Sequence, residues 1–326
     1  MNRKIRVAFI YKKSYNYFQT DHFDKTTYQF FMNALGRNPD LDVTYFPADD
    51  KFDTTQLKGK YDVILLPNNR TDGTPDQLIG IHKTEIPVIS RTGDPHSAQR
   101  YDLISFHNEW KIDCYFGTIP KSYFYKFYPK HFKYEVIIFG LESHLYQNLK
   151  PFKNRIKDKI LNSGAVGKTN LKSRIANSIL NPRHSSWYFY KLRTKCNKLP
   201  YVDYSGMKGK NYINEDYSSY LSQYRAAIAA TTFYPTQKYW EIPAAGCLTF
   251  MEITPKNNGE YLGFKDRKTA IFINEKNYRE KFEEYLNDLD NPTWEEIAVE
   301  GRNYTLANLN NDKATEALVK LIKNLL

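Results

Sequence analysis

A chain of 326 residues is long for one core and suits two domains of about 150 residues each. Its 41% hydrophobic and 16% aromatic content excludes an unstructured polymer, and a net charge of +11 without any run of five Lys or Arg favours anionic partners over a basic tail. Three well-separated cysteines, Cys114, Cys196 and Cys247, exclude a disulfide framework or a C-x-x-C site and point to a reduced, cytoplasmic chain.

The N-terminal apolar run is too short for a signal peptide, and no window approaches the 18 apolar residues of a membrane span. Peripheral attachment to the inner face of a membrane stays open. Residues 5–11 read as a central parallel strand, followed by a polar loop and a helix from about Thr26 to Leu35, ended by Gly36. Strands are expected at 41–47, 61–67 and 86–94, with a helix over TPDQLIGIHK between the last two. Segments 111–119 and 134–142 extend the sheet. Strand and helix alternating at this spacing predict a doubly wound parallel sheet.

The second half repeats the class. Strand 158–167, helix 171–180, strand 199–206 and a helix-to-strand run over 216–230 precede a compact unit at 234–252. That unit reads as turn, short helix, small-residue stop (Pro243-Ala244-Ala245-Gly246) and buried strand. Strand 269–274 and helix 278–290 follow. Two further helices close the chain, the first capped by Thr293 with Glu296 three residues on. The expected fold is therefore α/β, two Rossmann-like doubly wound domains facing across a cleft. The boundaries are 1–150 and 151–305, with 306–326 a terminal helix able to pack back on the first domain.

Free N–H groups at the start of the 234–252 helix suit an anion, near Thr236. Lys238 adds a cation, and Glu241 is placed to accept hydrogen bonds from a ribose or sugar hydroxyl. A plain amphipathic helix with Glu241 in solvent is the rival account. SGAVGKT at 163–169 is not a P-loop, since that spacing requires glycine where Asn162 stands. It reads instead as a strand-end turn around Gly164, with Lys168 and then Arg174 on the following helix. Asp94 and His96 follow the strand at 86–94 and are candidates for acceptor contact or base. An Asp-Pro turn with a solvated histidine is the plainer account. Asp21, His22 and Asp24 lie after the first strand, where Asp24 equally suits a helix cap. Glu252 and Glu260 are candidates for donor-sugar hydroxyls. Without H-E-x-x-H or D-x-D, no metal site is expected.

KYWEIPAAGCLTF (238–250) resembles the signature of group 1-type glycosyltransferases of the GT-B architecture, in the spore-maturation-protein-like branch. The strand-end Gly164 turn and the arginine-bearing helix after it are similar to the donor-phosphate region of that family. The resemblance implies a transferase moving sugar from a nucleoside-diphosphate donor, UDP- or GDP-linked, to a hydroxyl acceptor. It needs no cofactor beyond the nucleotide-sugar itself. The first domain would hold the acceptor, a cell-envelope glycan or lipid-linked molecule, and the second the donor. Glu241 would meet the ribose, and Arg174, less directly Lys168, the diphosphate. Many members carry another glutamate eight residues earlier, where this chain has Phe233. Two other functions remain open: a nucleotide-sugar epimerase of the same fold, and a non-catalytic nucleic-acid binder. The spread charge makes nucleic acid the weakest partner.

Overall fold

The computed structural model describes residues 3–14, 27–98, 102–168, 170–180, 185–205 and 215–326. It divides the chain into two compact units, residues 1–140 with 310–326, and residues 141–309.

The first unit opens with β1 (Ile5–Tyr11), α1 (Thr27–Arg37) and β2 (Leu41–Pro47). β3 (Lys51–Asp53), β4 (Val63–Leu66), β5 (Gln77–Ile79) and β6 (Val88–Arg91) follow. α2 (Ser105–Glu109), β7 (Ile112–Gly117), α3 (Lys121–Phe124) and β8 (Tyr134–Val136) complete it up to the crossing into the second unit. Six strands pair in parallel in the order β2-β1-β4-β6-β7-β8. Val7, Ile10, Val63, Ile64 and Leu66 are fully buried, as strands covered on both faces require. Each such aliphatic contributes about 1.5–3 kcal/mol of transfer free energy.

The second unit holds β9 (Ile156–Ser163), α4 (Leu171–Leu180), α5 (Ser186–Phe189), α6 (Lys191–Cys196) and β10 (Val202–Ser205). Then come α7 (Glu215–Leu221), β11 (Tyr224–Ala229), α8 (Lys238–Ala244), β12 (Leu248–Glu252) and β13 (Ile271–Ile273). α9 (Tyr278–Asn287) and α10 (Pro292–Asn308) finish it. Its five strands are parallel in the order β10-β9-β11-β12-β13. The chain then returns to the first unit as α11 (Asn311–Lys323), whose Ala314, Leu318, Val319 and Ile322 share a core with Ile5, Val7, Phe31 and Leu35.

Three sequence expectations are corrected. TPDQLIGIHK is not a helix: Gln77–Ile79 form β5, paired with β3, and Ile81–Lys83 make one 3-10 turn. Gly80 at φ +76 breaks the run, and the Thr54 hydroxyl donates to the Ile79 carbonyl at 2.8 Å, fixing the strand. The cap of the 292–308 helix is Asn291, which accepts from Thr293 N at 3.0 Å, with Pro292 in the first turn where its missing N–H costs nothing. The segment read as a strand over 134–142 pairs only through Tyr134–Val136. Gly140 donates its N–H to Asn311 Oδ1 at 2.7 Å instead of entering the sheet.

Candidate functional site

In each of the two large sheets the strand order reverses beside the first strand, at β1/β4 and at β9/β11. Open parallel sheets bind ligands outside the carboxyl ends of the strands at such a point. In the second unit, Gly164 stands there, directly after β9, with φ +98. A Cβ on Gly164 would lie 2.5 Å from Cε and 3.0 Å from Nζ of Lys238, and 3.4 Å from Nη2 of Arg193. The positive φ demands glycine, and any Cβ would push the Lys238 ammonium away from the turn. Two cations from distant parts of the chain thus meet the bare backbone of one turn.

Each cation is held from behind. Lys238 Nζ donates to the Tyr217 hydroxyl at 2.6 Å and lies 4.8 Å from the centre of that ring, and the hydroxyl donates on to Ser163 Oγ at 3.3 Å. Arg193 is 1% exposed on α6, where Leu192 and Cys196 pack into the core. Its Nε donates to Asn162 Oδ1 at 2.9 Å and its Nη2 to the Ser163 carbonyl. Asn162 Nδ2 in turn donates to the Arg193 carbonyl at 3.0 Å and to Asn197 Oδ1 at 2.6 Å. The guanidinium is therefore locked to the end of β9.

Helix α8 is oriented by Tyr239. Its hydroxyl donates to the Glu252 carbonyl at 3.1 Å and accepts from Thr231 N at 2.9 Å, pinning α8 to the ends of β11 and β12. Lys238 and Glu241, three residues apart, share one face of this helix. Burial drives the Lys238 ammonium down to about 8, with Glu241 opposing and Arg193 assisting. Burial raises the Glu241 carboxyl, and Lys238 holds it back. Tyr146 is pushed well above the usual phenol range, first by burial and then by Glu241.

The sequence candidates are distributed unevenly. Gly164, Lys238 and Glu241 come together. Thr236 is half-buried just before Gln237, the residue that precedes α8. With only seven residues, α8 offers little dipole, so the positive charge here is that of side chains. Arg174 stacks on the Trp187 ring at 4.2 Å, whereas Arg193 is the arginine beside Gly164. Lys168 is exposed. Glu252 is 4% exposed, its Oε2 lacks a hydrogen-bond partner, and burial, reinforced by Glu275, raises its pKa to about 7. Glu260 is exposed on the 3-10 turn Gly259–Leu262. Phe233 lies against Phe189 with Lys256 Nζ 5.2 Å from its ring centre, so no second acid occupies that position.

In the first unit, Asp94 is exposed and precedes the 3-10 turn Pro95–Ser97, past the end of β6. His96 is half-buried, and burial lowers its pKa against the pull of Asp94. Asp21, His22 and Asp24 lie outside the described residues. Among the described residues, no group of three or more His, Cys, Asp or Glu side chains converges as a metal ion would require, and no helix is long and apolar enough to cross a membrane.

No protein-family model matches the chain, and neither does any curated protein. Solved structures do. Sucrose-phosphate synthase from Thermosynechococcus elongatus aligns over 99% of both chains with a TM-score of 0.58 and 12% identity. Anabaena Alr3699/HepE, in complex with UDP and glucose, covers 98% of this chain and 100% of its own at 0.56 and 9% identity. A glycosyltransferase from Rickettsia africae ESF-5 covers 99% of both at 0.55 and 11% identity. At these identities the likeness is one of fold. The chain has the GT-B fold, built from two Rossmann-like α/β units.

Proposed function

We propose that the protein is a glycosyltransferase that takes a sugar from a nucleoside-diphosphate donor and gives it to a hydroxyl acceptor. The observation that carries this reading is the meeting of Lys238 and Arg193 at Gly164, on the carboxyl edge of the second sheet. The bond from the anomeric carbon to the diphosphate oxygen breaks, its electron pair goes to that oxygen, and the acceptor oxygen bonds to the carbon. Negative charge grows on the departing phosphate, so fixed cations aimed at it lower the barrier. Glu241 accepts hydrogen bonds from the ribose hydroxyls. Because two protein cations neutralise the leaving group, no divalent metal is needed. UDP is the first nucleotide to test, since Alr3699/HepE is solved with UDP and glucose.

An inverting course takes the acceptor proton onto Asp94, His96, Asp21 or His22. A retaining course passes it to the leaving phosphate and needs no such base. The anomeric configuration of the product, read by NMR, separates the two. The direct test is calorimetric titration with UDP, GDP, CDP, dTDP and ADP in EDTA and in Mg²⁺. Binding of one diphosphate in EDTA, weakened in Lys238→Ala, is expected. No binding of any diphosphate, or binding untouched by that substitution, would sink the assignment. Conversion of the sugar nucleotide without acceptor would instead make the protein an epimerase.

A further inference from the structure

We infer that helix α4 (Leu171–Leu180) docks the protein onto an anionic lipid surface. Four of the ten exposed large apolar side chains among the described residues lie on this one helix: Leu171 at 64%, Ile175 at 51%, Ile179 at 73% and Leu180 at 77% exposure. Leu171, Ile175 and Ile179 are spaced i, i+4, i+8 and form one narrow stripe. The opposite face holds the helix to the protein. Arg174 stacks on Trp187 at 4.2 Å, and Asn177 Oδ1 accepts from Ser186 N at 2.8 Å and Ser186 Oγ at 3.1 Å. The stripe is therefore turned outward by polar contacts, at the cost of leaving apolar surface in water.

Charge selects the occupant. Residues 159–202 contain no Asp or Glu. Of their nine Lys and Arg, Arg193 is buried and Lys191 and Lys195 pair with Glu275, while Lys168 and Lys172 are exposed beside the stripe. A protein-binding face of this kind is normally anchored by aromatic side chains, and the stripe has only aliphatic ones. A short aliphatic ridge edged by cations suits the boundary between headgroups and acyl chains of anionic lipid. With ten residues, α4 is too short to cross a bilayer, so the contact it offers is interfacial. The inference stands apart from the donor-site reading, although α4 starts only a few residues after Gly164.

The test is flotation of the full chain with vesicles of phosphatidylcholine alone and of phosphatidylcholine mixed with phosphatidylglycerol. The wild type is expected to float only with the anionic vesicles, and less as salt rises. Ile175→Asp with Ile179→Asp, and separately Lys168→Glu with Lys172→Glu, should each lower the partition coefficient by about tenfold or more. Neither pair should change the melting temperature, because these side chains are exposed. Failure of the wild type to float, or flotation unaffected by the aspartates, overturns the inference. So does a lowered melting temperature, which would mean that the chain itself covers the stripe. A wild-type dimer made monomeric by the aspartates would assign the face to a second copy instead.

Discussion

The strands of the two sheets end in different chemistry. Past the first sheet, the side chains settle among themselves: Asn69 Nδ2 donates to the Tyr128 hydroxyl at 2.8 Å, Arg91 Nε to the Pro67 carbonyl at 2.7 Å, and Thr74 Oγ1 to the Asn68 carbonyl at 2.6 Å. Asp94 and His96 are two titratable groups at that edge that could move a proton. Past the second sheet, the protein keeps two half- or fully buried cations against a glycine, Lys238 and Arg193, with one acid, Glu241. Holding an ammonium in such a place is unfavourable, as the fall of Lys238 to about 8 shows. One edge closes on its own buried hydrogen bonds, and the other holds positive charge against a bare turn. The lesson is that two copies of one topology can be specialised by what sits at a single turn.

Predictions can break or sharpen that contrast. The largest effect is structural. Leu318→Ala empties a fully buried position in the first unit and should cost about 2–5 kcal/mol in a denaturant titration. Diphosphate affinity under native conditions should hardly change. Equal loss of affinity would show that the units do not keep separate tasks. Next, Lys238→Ala should slow transfer at saturating donor by roughly a hundredfold or more, about 3 kcal/mol, as removal of a single transition-state contact does elsewhere.

The buried Glu252 supplies the third. Its folded pKa, about 7, lies above the ordinary glutamate value of 4.5, so stability is greatest below that unfolded value and falls as pH rises through 7. Glu252→Gln should remove that slope, a difference of about 2–3 kcal/mol between pH 5 and pH 8 by thermal or chemical unfolding. Parallel curves for the two proteins would refute it. The fourth concerns the cation at Gly164. Lys238 is charged below about 8, so diphosphate affinity measured by calorimetry should fall above that pH, by at most tenfold per unit. Lys238→Arg, which stays charged, should flatten the profile. The smallest effect is at the other edge: Asp94→Asn should leave the diphosphate dissociation constant within about twofold, as expected of a residue with no part in holding the nucleotide. A larger change would erase the division of labour between the two edges.

Much of this was legible in the residues. Near-continuous apolar runs such as IRVAFIY and CLTFM announce doubly covered strands, and their spacing dictates parallel pairing. Lys238 and Glu241 could be placed together because helical periodicity acts over three residues. Arg193 could not, because only the β9-to-α6 return brings it to Gly164, across a stretch with no motif. A usable signal existed: Leu192 and Cys196 at i, i+4 mark a core-facing helix, and Arg193 sits at its apolar edge. TPDQLIGIHK misled because its periodicity outweighed Pro75 and Gly80, both strong breakers. The exposed stripe of α4 was equally invisible, since amphipathic spacing does not tell an outward apolar face from an inward one.

The return of α11 to the first unit has a consequence for how the protein is made. Ala314, Leu318, Val319 and Ile322 fill the hydrophobic core that Ile5 and Val7 begin. A ribosome delivers those residues after all of the second unit has emerged. The nascent first unit must therefore wait with an open core while its neighbour folds, and a fragment ending at Gly140 would expose the apolar side chains that α11 covers. Strand β1 is thus completed by a helix made only after the whole second unit, and termination before α11 would injure the unit that was synthesised before its neighbour.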